Sequence, residues 1–110
     1  MKFRSGDIVL AASPGDYGKP RPCLVIQSEL FADLPSVTFC MLTTTLRTGH
    51  PLVRITMEPS AKNGLHETSQ IAIDKIMTLP ITRIAKKIGE ADADMMLQVT
   101  RALAVFLGVG

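Results

Sequence analysis

The chain has 110 residues, 46% hydrophobic and 20% charged, which fits one compact domain over residues 1–110 rather than an intrinsically disordered chain. A net charge of +2 permits a nucleic-acid partner without requiring one, while 5% aromatic content and no Trp exclude a broad base-stacking platform. Cys23 and Cys40 lie inside apolar runs, as buried thiols do in a reducing compartment, and neither a signal peptide nor a membrane-spanning run is visible, so the expected location is the cytoplasm with no membrane partner.

Ile8 to Ala12, opened by Gly6-Asp7, reads as a first strand. The loop that follows, Gly15-Asp16-Tyr17-Gly18-Lys19-Pro20, is rich in turn formers and too short for a crossover helix, so the next strand should pair antiparallel. That strand is the apolar run Cys23 to Ile26. Arg21 stands between loop and strand, flanked by Pro20 and Pro22, and the following proline holds it in extended backbone. A guanidinium on such a stiffened junction suits a site residue, and equally a surface arginine in a proline-rich turn. Ser28 to Leu34 fits a single helical turn ended before Pro35, and Val37 to Leu42 a third strand. Three consecutive apolar strands imply a sheet covered on both faces, by a helix, a second sheet or a partner subunit.

The polar run Thr43 to Pro51 leaves the third strand as a loop. Val53, Ile55 and Met57 then alternate with Arg54, Thr56 and Glu58, the pattern of a half-exposed strand. Pro59 to Gly64 is a turn marked by Asn63-Gly64, and Ser69 to Ile76 a fifth strand with Ile71 and Ile73 facing one way. Ile81 to Ile88 is ambiguous: Ile81, Ile84 and Ile88 have helical spacing while their neighbours fit a strand. The C-terminal stretch is a helix capped by Asp92 or Asp94, with a stripe of Met96, Val99, Leu103, Phe106 and Leu107, closed by Gly108.

An ordered set of pieces spans almost the whole chain: Gly6-Asp7-Ile8-Val9, Gly18-Lys19-x-Arg21-Pro22-x-Leu24-Val25-Ile26-Gln27, Leu42-Thr43, Asn63-Gly64-Leu65, Ser69, Asp74, Ile88-Gly89 and Phe106-Leu107-Gly108. In these the chain resembles the MazF/PemK family of toxins from bacterial toxin–antitoxin pairs. The resemblance implies a mainly β fold with a C-terminal helix, a small SH3-like β-barrel of the CcdB/MazF type, assembled as a homodimer. It implies a strand at Ile84 to Ile88. It also implies metal-independent cleavage of single-stranded RNA at short sequences, with no cofactor, and a cognate antitoxin that blocks the site with an extended acidic segment. Arg21 and Thr43 are then the catalytic pair.

Metal-free RNA cleavage uses the 2′-hydroxyl as nucleophile and leaves a 2′,3′-cyclic phosphate and a 5′-hydroxyl. It needs a proton acceptor, a proton donor and positive charge for the crowded phosphorane. Arg21 fits the last role, since a planar fork of donors grips two phosphate oxygens, and fits proton transfer poorly because arginine keeps its proton. Thr43 offers a hydroxyl to orient the phosphate or the attacking oxygen. His50, in the loop beyond Thr43, has an imidazole suited to proton transfer, although a loop histidine beside Gly49 and Pro51 is usually just solvated. Lys19, Arg47 and Lys75 are candidates for backbone phosphates and Tyr17 for stacking a base, and Asp74 completes the expected substrate-binding set. Asp74-Lys75 departs from the family's acidic residue followed by Gln, and Ala72 stands where some members carry arginine. Neither His50 nor His66 has metal-ligand spacing with the cysteines or carboxylates, so no metal site is expected. Two alternatives belong to other classes: a CcdB-like poison of DNA gyrase, which acts through a Trp this chain lacks, and a catalytically inactive RNA-binding relative.

Overall fold

The computed structural model describes residues 2–12 and 19–109. Gly6 adopts φ 100°, a backbone setting that side chains disfavour, and so turns the chain into β1, Asp7–Ala11. Asp7 is buried there, accepting the Arg4 backbone N–H at 3.1 Å and facing Lys87 Nζ at 3.1 Å. β2 spans Arg21–Val25, β3 Ser36–Thr43, β4 Arg54–Met57, β5 Ser69–Pro80 and β6 Ile84–Glu90. They form one six-stranded antiparallel sheet in the order β4-β5-β3-β2-β1-β6. The expected turn after β2 is a 3-10 turn, Glu29–Phe31, in which the Ser28 hydroxyl accepts the Leu30 N–H at 3.2 Å.

The consecutive apolar runs do line both faces of this sheet. Ile8, Leu24, Cys40, Leu42, Ile71 and Ile73 share one core cluster, while Val9, Cys23, Val25, Val37 and Phe39 share the other. The C-terminal helix α1, Ala93–Leu107, covers the first cluster with Val99 and Ala102. Curvature of the sheet covers the second, because Leu79 at the end of β5 and Ile84 at the start of β6 fold back onto it with Phe3.

Some expectations need correction and others hold. The barrel is not closed: the sheet curls strongly, but β4 and β6 remain its two ends. The fifth strand runs past Ile76 to Pro80, because Met77, Thr78 and Leu79 continue to pair with Phe39, Thr38 and Val37. The ambiguous segment divides, with Ile81–Arg83 a 3-10 turn and Ile84 onward a strand. In α1, Asp92 is the N-cap, accepting the Met95 N–H at 2.8 Å, and Gly108 the left-handed C-cap. Met95 and Ala102 join the packed face, whereas Phe106 and Leu107 are exposed.

The Asn63-Gly64 turn is fixed by a dense set of bonds. The Asn63 side chain accepts the N–H groups of Ser60 (2.9 Å) and Leu65 (3.0 Å) and donates to the Glu58 carbonyl (2.8 Å). Gly64 sits at φ 71°, and a Cβ there would meet the Ile88 backbone. A Cβ on Gly89 would meet the Asn63 backbone in turn. The turn and β6 thus touch backbone to backbone, and only glycine fits on either side.

Candidate active site

Arg21 and Thr43 stand at the two strand ends that meet on one rim. β2 and β3 pair with Cys23 opposite Met41, and continuing that register by two residues brings Arg21 across from Thr43. The Thr43 hydroxyl accepts the Thr45 N–H at 3.1 Å, which turns the chain out of the sheet and leaves the hydroxyl proton available to donate. Both residues line a cleft of about 410 Å³ with Arg47, Arg54, Ala72 and Lys75.

Arg47 is placed by a buried residue. Gln70, opposite Thr43 on β5 and 5% exposed, accepts the Arg47 backbone N–H at 2.8 Å and donates Nε2 to the Arg47 carbonyl at 3.0 Å. The side-chain amide imitates one rung of a β-ladder, so the loop after β3 returns to the cleft mouth in one conformation. Lys75 is placed by a bulge. Cys40 pairs with Ile76 but the next residue, Met41, pairs with Ala72, so Ile73, Asp74 and Lys75 stand between consecutive partners. Such an insertion bends a strand and re-aims its side chains.

Asp74 does not line the cleft itself. It binds Arg54, whose Nη2 donates to Asp74 Oδ2 at 3.1 Å. Lys19 is exposed two residues before Arg21, and His50 is exposed and absent from the cleft lining. The part of His50 that is used is its carbonyl, which accepts the N–H groups of Val53 (3.1 Å) and Arg54 (3.0 Å). Tyr17 lies outside the described residues. Cys23 and Cys40 are free thiols, both buried; burial, followed by the charge of Asp74, pushes the Cys40 thiol up to about 12. Among the described residues no group of three or more His, Cys, Asp or Glu side chains could hold a metal ion, and no helix is long and apolar enough to cross a membrane.

The residue that sequence reading passed over is Arg54. Strand alternation put it on the solvated side of β4, yet its side chain is only 9% exposed. Its register partner is Ala72, so the small residue and the large one share a row. The signal was available in those two facts only together, and the pairing of β4 with β5 is not readable from either strand alone.

Residues 4–107 match the model of the PemK-like, MazF-like toxins of type II toxin–antitoxin systems. The chain belongs to this family. A relative from Mycolicibacterium smegmatis named a probable endoribonuclease MazF is 43% identical over 108 residues, covering 97% of this chain and 98% of that protein. The solved structure of the Mycobacterium tuberculosis toxin MazF-mt6 is 25% identical, with a TM-score of 0.79 over 94% of this chain and 98% of that one. An endoribonuclease in complex with its cognate antitoxin, from Mycobacterial species, shares the fold at 24% identity, with a TM-score of 0.81 over 98% and 97% of the two chains. Arg21 and the strand-end Thr43, two of the pieces that carried the resemblance to MazF-like toxins, line one cationic cleft. The gyrase-poison alternative finds no counterpart among these relatives.

Proposed function

We propose that the protein is the toxin of a type II toxin–antitoxin pair, a cytoplasmic endoribonuclease that cuts single-stranded RNA without a metal ion. The observation that carries this reading is the cleft: within a family of MazF-like toxins, Arg21 and Thr43 share it with Arg47, Arg54 and Lys75, and among the described residues no acidic side chain lines it. A surface of that sign draws in a polyanion.

In the reaction, the 2′-oxygen forms a bond to phosphorus and loses its proton, while the bond from phosphorus to the 5′-oxygen breaks and that oxygen gains one. Arg21 meets the charge that accumulates on the non-bridging oxygens, and its fixed fork does so without reorganisation. Thr43, which accepts the Thr45 N–H, donates its own proton to the phosphate and fixes its angle to the attacking hydroxyl. Lys19, Arg47 and Lys75 take neighbouring phosphates, and Tyr17 stacks a base. Asp74 enters the substrate-binding set through Arg54. The antitoxin inhibits by laying an extended acidic segment in the same cleft, so its grip weakens as salt rises.

The test is cleavage of a defined RNA in excess chelator, with both new ends mapped. Retained cleavage that leaves a 2′,3′-cyclic phosphate and a 5′-hydroxyl is expected. Activity abolished by chelator and restored by Mg²⁺, or a 5′-phosphate product, overturns the reading.

A further inference from the structure

Arg54 is a cation with nine-tenths of its side chain removed from water, held by a single carboxylate oxygen. A guanidinium carries five N–H donors, and a buried one is costly unless they are met. Among the described residues the guanidinium's one ion pair or hydrogen bond is the 3.1 Å contact to Asp74. None of its nitrogens is among the buried, partnerless atoms, so the remaining donors open to the outside, and the surface they open onto is the cleft. A purely structural arginine at this depth would spend those donors on backbone carbonyls.

Register shows where they point. The row Cys23, Met41, Ala72 and Arg54 runs across β2, β3, β5 and β4, and the neighbouring row on the same face holds Thr43, Gln70 and Thr56. Arg54 thus starts two strands from Thr43, roughly 10 Å across the sheet at the usual strand spacing. The methyl of Ala72 fills little of the space between, and a long side chain crosses it easily. Asp74, raised in the β5 bulge, holds the guanidinium from behind.

We infer that Arg54 is a phosphate-binding residue of the cleft, a second fixed guanidinium that donates to a backbone phosphate of the RNA, and that Asp74 is its positioning residue. The inference rests on the reading of the cleft as an RNA site. RNA completes the donor set that the protein leaves unfilled, and a preorganised Arg54 sets the path of the strand past Arg21 and Thr43. Asp74 then contributes by aim, not by proton transfer.

Binding is measured by fluorescence anisotropy of a labelled 12-mer with 2′-O-methyl ribose throughout, which removes the nucleophile, and turnover on the all-ribose RNA. Arg54→Gln is expected to weaken binding about tenfold and to flatten the slope of log affinity against log salt by about 0.7, the loss of one phosphate contact on a single strand. Asp74→Asn keeps shape and removes a negative charge, so added attraction offsets part of the loosened contact and its 12-mer affinity should fall less than that of Arg54→Gln. Its turnover should fall about tenfold or more, because an unaimed guanidinium no longer meets its phosphate. The pH–rate profile should keep its shape. If Arg54→Gln fails to fold, the isosteric Asp74→Asn carries the test. Unchanged affinity and salt slope in folded Arg54→Gln, unchanged turnover in Asp74→Asn, or loss of the acidic limb of its pH profile each overturns the inference. Wild type that binds the 12-mer yet cuts no RNA refutes the nuclease reading and leaves the Arg54 contact standing on its binding data.

Discussion

The tie between Gln70 and the loop after β3 sets a stability that can be worked out. Gln70→Ala removes the 2.8 Å and 3.0 Å bonds to the Arg47 backbone, together with a long 3.4 Å contact to the Thr56 hydroxyl. A neutral hydrogen bond contributes about 0.5–1.5 kcal/mol net, so the pair is worth about 1–3 kcal/mol. Two effects pull in opposite directions: Arg47 is exposed, so its freed amide groups regain water, whereas Gln70 is buried and its deletion leaves a void. The middle of the range, about 2 kcal/mol, is expected. Unfolding entropy near 2.1 cal/mol/K per residue gives about 0.23 kcal/mol/K for a chain of this length, and hence a fall in Tm of about 9 °C. Gln70→Glu is the stricter variant. It keeps an oxygen for the Arg47 N–H but sets a second oxygen against the Arg47 carbonyl, and it buries a charge, so it should destabilise at least as much as the alanine. Calorimetry on the three proteins reads both values. The KM for RNA should rise in Gln70→Ala more than kcat falls, because Arg47 is loosened while Arg21 is not. A Tm within about 2 °C of wild type would refute the clamp.

Arg21→Lys keeps the charge but loses the paired donor geometry, so it should retain RNA affinity and lose about 10²–10³ in kcat, with Arg21→Ala losing more of both and Thr43→Ala less; equal turnover in wild type and Arg21→Lys would make Arg21 an ordinary surface charge. Cys40 ionises near 9.0 when unfolded and at about 12 when folded, so the stability it adds is present below pH 9 and lost as pH rises toward 12. Urea midpoints should fall through that window in wild type and less steeply in Cys40→Ala. Gly89→Ala forces a methyl against the Asn63 backbone and should cost about 1–3 kcal/mol, read by urea melts; an unchanged midpoint would show that the turn yields freely. The protein should be a dimer by light scattering at micromolar concentration, with Phe106 and Leu107, exposed on the single chain, contributing apolar surface; a monomeric mass would exclude it.

Most of the strand pattern was legible because it rests on local chemistry. Ile71 and Ile73 do share a core, Val53, Ile55 and Met57 pack against the same cluster, and Asp92 and Gly108 delimit α1. Where the reading failed, a long-range fact decided. Nothing local says that Met77 to Leu79 continue β5, since their pairing is with residues some forty positions earlier in β3. Nor does local pattern show that the bulge at Ile73 to Lys75 carries the Asp74 that pairs with Arg54, which is why Arg54 read as solvated. Arg21 and Thr43 were nameable because proline chemistry and a strand end mark them, whereas Arg54 carries no such mark. Phe106 and Leu107 followed the helical period, but period alone does not tell a core from an uncovered face.

The cleft is gathered from position 21 to position 75, and its strands meet out of chain order, with β5 inserted between β3 and β4. Until β5 has left the ribosome, β3 has no partner on that side, the bulge that carries Lys75 does not exist, and Arg54 has no carboxylate to hold it. A nascent chain therefore presents Arg21 and Thr43 on an unsupported edge long before the cleft exists. The sheet's connectivity delays assembly of the cleft until β5 has been made, and non-local pairing of this kind forms slowly even then. An inhibitor that recognises the assembled cleft has that interval in which to be waiting.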